Sequence, residues 1–200
     1  MVPDGRTYAP THARRRQILS ATISVLAEEG YAGATFARIR EHAQLSSTRL
    51  ISYHFRTKEA LMSAVVAQVV ADSAEVIRPA LEAATTYPDK LAGYIRSNLE
   101  FLARNPLAAV AVVEIVRHGA RPGVREGADT SVMLLALLFS QGQHAGELGA
   151  FDPEVMARSV RATIDEFASR CAPGRAVDTH EIDQIVALYA RATAAGRTTP

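Results

Sequence analysis

A chain of 200 residues, 48% hydrophobic and 22% charged, is long enough to bury one large core or two small ones without disulfide or metal staples, and its composition excludes the disordered and fibrous classes. Trp is absent and there are only six Tyr and six Phe, so helices, which Ala and Arg favour, are expected over extended sheet. The formal net charge of +1 hides an asymmetry: residues 1–60 hold nine Arg and Lys against five Asp and Glu, the remainder thirteen against sixteen, so a polyanion partner is expected for the head alone.

Residues 1–10, with Pro3, Gly5 and Pro10, read as a loose arm. From Thr11 the pattern turns helical, Ile18, Ala21, Thr22, Val25 and Leu26 making one stripe, and Gly30 stands where a left-handed cap ends the helix. Thr35 is an N-cap for a short helix through about His42, with Phe36 and Ile39 on its inner side. Ser46-Ser47-Thr48 then favours a turn and cap before a third short helix, Arg49 to Phe55. A fourth starts near Thr57 and carries Leu61, Val65, Val69 and Ile77 on one face until Pro79, where it is expected to stop. Beyond it helices are expected at about 88–104, 106–118, 124–146, 153–171 and 179–195, separated by breaks at Pro88, Asn105-Pro106, Gly119 to Gly123, Gly146 to Gly149 with Asp152-Pro153, and Pro173-Gly174. The tail from Ala194 is expected to fray. No repeat or strand-like alternation competes, which makes the fold all-α with about nine helices.

Helix, short helix, turn and short helix is the arrangement of a helix-turn-helix, whose second short helix enters the DNA major groove. Hydrogen-bonding side chains gather where such a motif meets DNA: Ser46, Ser47, Thr48, Arg49, Ser52, Tyr53, His54 and Lys58, with no acid between Glu41 and Glu59. At these residues the chain resembles the TetR family of bacterial regulators, through Ile39, Ala43, Leu45-Ser46, Tyr53-His54-Phe55 and Lys58-Glu59-Ala60-Leu61. A fainter likeness follows at Gln141-Gly142-Gln143, Gly146-Glu147-Leu148, Phe151-Asp152-Pro153, Met156-Ala157 and Ile164-Asp165. Gln44 stands where the family usually has glycine, and the stretch Ser46 to Phe55 is one residue longer than the common form.

The resemblance implies a helix-turn-helix domain at 11–60 and a helical regulatory and dimerisation domain at 61–200. It implies that Thr35, Lys58, Tyr53 and His54 meet phosphates, that Ser47, Thr48 and Arg49 reach base edges, and that Arg14, Arg15 and Arg16 approach phosphate or the minor groove. A homodimer is implied, through Val155, Met156, Val160, Thr163 and Phe167 on one helix and Ile182, Ile185, Val186 and Tyr189 on the next. A small-molecule effector is implied among the middle helices, where Tyr94, Phe101, Glu114, Arg117, His118 and His144 are the best-placed polar or aromatic residues.

The implied function is a ligand-responsive transcription regulator, more often repressor than activator, binding a palindromic operator in double-stranded DNA. Two other readings stand beside it: a helical protein-interaction module with a basic head, and an all-α enzyme. For the enzyme only fragments exist, since His180-Glu181 lacks the second His of a zinc helix and no phosphate loop or nucleophile elbow occurs. No cofactor or metal is expected. The lone Cys171 has no disulfide partner, residues 1–16 lack the apolar run of a signal peptide, and the longest apolar stretch, Val132 to Phe139, is too short to span a bilayer. A cytoplasmic protein without a membrane partner is therefore expected.

Overall fold

The structure, a computed structural model, describes residues 8–118, 122–174 and 178–196. Among them the chain forms α1 (Tyr8–Gly33), α2 (Phe36–His42), α3 (Arg49–His54), α4 (Lys58–Ala83), α5 (Tyr87–Arg104), α6 (Pro106–Arg117), α7 (Pro122–His144), α8 (Pro153–Arg170) and α9 (Thr179–Ala192). The all-α expectation holds. Residues 1–7 of the expected arm and 119–121 of the expected break lie outside the described residues, whereas 8–10 already belong to α1.

Side-chain caps start the helices where the sequence places them. Thr35 accepts from the Arg38 amide at 3.2 Å, Thr57 from Ala60 at 3.1 Å, and Asp152 from Val155 at 2.9 Å, each satisfying a donor that the first turn leaves unpaired. Two expectations fail. α4 runs through Pro79 to Ala83, although proline removes one ladder bond and crowds the preceding turn; its last turns lie on α5, where a Cβ at Gly93 would stand 3.4 Å from Ala80 Cβ, and this packing outweighs the break. The tail from Ala194 is not frayed at its start, because Ala194 forms an antiparallel bridge with Leu148 and Gly149 donates to the Thr193 carbonyl at 2.9 Å.

Two apolar cores organise the helices. One gathers Ile18, Val25 and Leu26 of α1, Ile39 of α2, Ile51 of α3, Phe55, and Leu61, Val65 and Val66 of α4. It also takes in Ala111 and Ile115 of α6, so a helix from the second half of the chain is built into the first core. The other contains Leu91, Ile95 and Leu99 of α5, Leu135 and Phe139 of α7, Val160, Ile164 and Phe167 of α8, and Ile182 and Tyr189 of α9. α4 has the length and mean hydropathy, 1.6, of a membrane span, but Leu61, Met62, Val65, Val66 and Val69 give it a buried face in the protein.

The turn from α2 to α3 is closed by two bonds, Gln44 N–H to the Glu41 carbonyl and Leu45 N–H to the Arg40 carbonyl, each 3.0 Å. This pairing needs a left-handed residue between them, and Gln44 takes that role at φ 50°. An L-residue there costs about 1 kcal/mol that glycine avoids. Gln44→Gly is therefore expected to raise stability by about 1 kcal/mol, read as a higher urea midpoint with unchanged slope.

Candidate nucleic-acid interface

α3 is six residues long, too short to persist alone in water. Ile51, with no exposed surface, and Phe55 hold its inner side in the first core. The opposite side carries Arg49, Ser52 and Tyr53, all exposed, and the Tyr53 ring is 79% exposed.

The backbone before α3 is ordered by its own hydroxyls. Ser47 Oγ accepts from the Arg49 amide at 3.1 Å, while the Thr48 carbonyl accepts from the Ser52 amide at 3.1 Å and the Ser52 hydroxyl at 3.4 Å. Ser46 is exposed, and Ser47 and Thr48 are half-buried. These bonds aim the start of α3 outward.

α1 brings Arg14 and Arg15 close enough for their charges to act on His54 of α3; both are exposed, as is Arg16. Arg14 donates to Gln17 Oε1 at 2.7 Å, and Gln17 donates to the Ala43 carbonyl at 2.7 Å, which ties α1 to the turn before α3. The Arg15 guanidinium lies 4.9 Å from the Phe55 ring centre. His54 feels this grouping: burial first, then the positive charges of Arg15 and Arg14, hold its pKa below the usual histidine value.

Arg56, exposed between α3 and α4, belongs to this surface and was missed by motif reasoning, although it falls inside the acid-free stretch. Neither Arg49 nor Arg56 makes a side-chain hydrogen bond or ion pair among the described residues. By contrast the cations of α2 are neutralised locally, Arg38 by Glu29 and Glu41 and Arg40 by Glu41. The basic surface is thus narrower than the charge count of the head: α1, α3 and the residue after α3.

Lys58, at the start of α4, is engaged by Tyr31. Its ammonium donates to the Tyr31 carbonyl at 2.5 Å and stands 4.4 Å from the Tyr31 ring centre, and burial lowers its pKa. Thr35 is exposed at the start of α2, engaged in its cap.

The other predicted sets are divided by the structure. Val160, Phe167, Ile182 and Tyr189 are buried inside the protomer, because the stripes of α8 and α9 pack on their own chain, and Tyr189 adds hydrogen bonds to Thr163 at 2.7 Å and Ser159 at 3.1 Å. Val155 is 66% exposed, and Met156, Thr163, Ile185 and Val186 are half-buried. Exposed Met133, Leu134 and Leu137 of α7 and Leu188 of α9 extend the apolar surface beyond the expected residues.

Of the effector candidates, Phe101 is buried and Tyr94 packs against the second core, while Arg117 and His144 are exposed. Glu114 and His118 meet Tyr31 of α1 instead. A cleft of about 650 Å³ between α7 and α8 is lined by Val132, Met133, Ala136, Glu154 and Arg158, none of them in the expected set.

Residues 18–65 match the family model described as bacterial regulatory proteins, tetR family. An HTH-type transcriptional regulator, BetI 2 of Chromohalobacter salexigens, is 38% identical over 72 residues, which is 34% of each chain, so the match spans about a third of that relative. A bacterial regulatory protein in the tetR family from Rhodococcus RHA1 superimposes with TM-score 0.77 at 20% identity, covering 92% of this chain and 98% of that one. AibR, solved in complex with isovaleryl coenzyme A and operator DNA, superimposes with TM-score 0.74 at 18% identity over 88% of this chain and 97% of that one. Residues 18–65 thus match the amino-terminal domain of the tetR family of bacterial regulatory proteins, and the chain as a whole has the fold of these solved structures.

Proposed function

We propose that this protein is a cytoplasmic, ligand-responsive transcription regulator, a repressor, that binds a palindromic DNA operator as a homodimer. The observation that carries the reading is the outward face of α3, where Arg49, Ser52 and Tyr53 stand exposed, with Arg14 and Arg15 of α1 close enough to act on His54. A short helix with one buried face fits the major groove. Arg49 matches the O6 and N7 acceptors of guanine, Ser47 and Thr48 lie at the same end, and Tyr53, His54, Arg56 and the α1 arginines suit phosphates.

One short helix reads too few base pairs for a tight specific complex, so two heads on a two-fold operator are the natural unit. The exposed apolar residues Val155, Leu188, Met133, Leu134 and Leu137 support a second copy of the chain as the cover of the body. A small effector bound in the body would act by favouring one spacing of the two heads. AibR is a neighbour in fold that binds both isovaleryl coenzyme A and operator DNA, and an acyl thioester is the first effector class to screen.

Selection of bound duplexes from a random pool is expected to return an inverted repeat; a pool that stays random under repeated selection would refute sequence-specific binding. On the selected operator, Arg49→Ala is expected to relax discrimination at one base pair by about 1–3 kcal/mol, measured by titration against single-base variants.

Sedimentation at micromolar concentration is expected to give a species of two chains of 21.5 kDa each, and a monomer there removes the two-headed reading.

Phosphate beside His54 opposes the effects that depress its pKa in the free protein. Binding therefore takes up a proton, and affinity is expected to rise as pH falls below about 6.5, the ordinary histidine value. His54→Gln flattens that part of the pH profile of the Kd.

A further inference from the structure

We infer that Glu114 of α6 and His118, the residue that caps its end, are positioning residues that hold the head at a fixed angle to the body by clamping one residue, Tyr31. Three helices converge on it: the end of α1, the start of α4 and the end of α6.

Gly30 makes the convergence possible. At φ 70° it turns α1 out of its helical path, so the Tyr31 amide is turned toward α6 and donates to Glu114 Oε2 at 3.2 Å, across 83 residues of sequence. A side chain at Gly30 would bring its Cβ to 3.2 Å from the same carboxylate oxygen, so the approach needs both the glycine conformation and its missing Cβ.

The Tyr31 ring stacks on His118, with centroids 5.1 Å apart and planes 3° from parallel. Nδ1 of His118 lies 2.9 Å from the Glu114 carbonyl oxygen, which accepts its proton in that tautomer and fixes the imidazole on α6. The remaining backbone group of Tyr31, its carbonyl, accepts from Lys58, the first residue of α4.

The clamp is continuous with apolar packing. Ala111 and Ile115, in the first core, alternate with Glu114 and His118 along one side of α6, as residues three and four apart do on a helix. α6 thus presents one face to the head, with apolar contacts supplying attraction and Glu114 and His118 supplying direction. Any displacement of α6 must either carry Tyr31 with it or break the clamp, and Tyr31 is joined to the helix that follows α3.

Two measurements on the full chain test this, and only the second rests on the two-headed DNA reading. Spin labels at Ser20→Cys in α1 and Ser169→Cys in α8, on a Cys171→Ala background, report the distance between head and body by pulsed dipolar spectroscopy. With the labelled chain diluted into an excess of unlabelled protein, so that each dimer carries one labelled copy, a single narrow distribution is expected. Glu114→Ala and His118→Ala should each broaden it at least twofold while helix content stays constant, and Glu114→Gln, which keeps an acceptor for the Tyr31 amide, should restore the narrow form. Equal widths in all four proteins, or no rescue by Glu114→Gln, overturn the inference; exposed His118 gives a variant whose folding is not at risk.

In the second measurement, Glu114→Ala is expected to weaken binding to a two-site operator at least tenfold and to a half-site duplex less than twofold. Equal losses on both overturn the positioning role. If the unaltered protein binds neither duplex, the DNA reading fails alone and the spin-label distances still decide the clamp.

Discussion

A helix of six residues has too few internal hydrogen bonds to offset the cost of ordering it, so α3 exists because Ile51 and Phe55 are buried in the first core. That single constraint divides its surface. Whatever faces inward must be apolar and well packed, and whatever faces outward is not bound by that packing. Arg49, Ser52 and Tyr53 fall on the free side for this reason. The other features of the head secure the same arrangement: the left-handed Gln44 sets the direction of entry, Gln17 ties the turn to α1, and the Arg15 guanidinium lies over the Phe55 ring.

The same core makes the head inseparable from the body. α4 leaves α3 with its first turns buried in the first core, then continues onto α5. α6 returns to the first core from the far side with Ala111 and Ile115. A boundary drawn near residue 60, which the helix-turn-helix pattern invites, therefore cuts through α4 and omits α6. Packed interfaces of this kind shift between discrete arrangements rather than deforming smoothly, which is what a regulator needs if a change in the body is to reach α3.

Features with a local cause were legible in the sequence. Thr35, Thr57 and Asp152 cap helices because their oxygens reach amides three residues on, and the left-handed Gly30 follows from the chirality of the backbone. Features that depend on distant partners were not. The helix through Pro79 is held by α5, the tail by Leu148, and Lys58 is hydrogen-bonded to Tyr31, 27 residues earlier. The stripes of α8 and α9 show the limit most clearly: apolar spacing says that a face is covered, and Val160, Phe167, Ile182 and Tyr189 are covered by their own chain.

That division also narrows where charge acts. Residues 1–60 contain nine cations, yet α2 offers little to a polyanion because Glu29 and Glu41 neutralise Arg38 and Arg40, and exposed pairs of this sort contribute little to stability. Their consequence is spatial: the charge of α2 is offset by Glu41 of α2 itself and Glu29 of α1. A duplex approaching the head is therefore drawn to the face that carries Arg49, and the acids of α1 and α2 serve orientation more than folding.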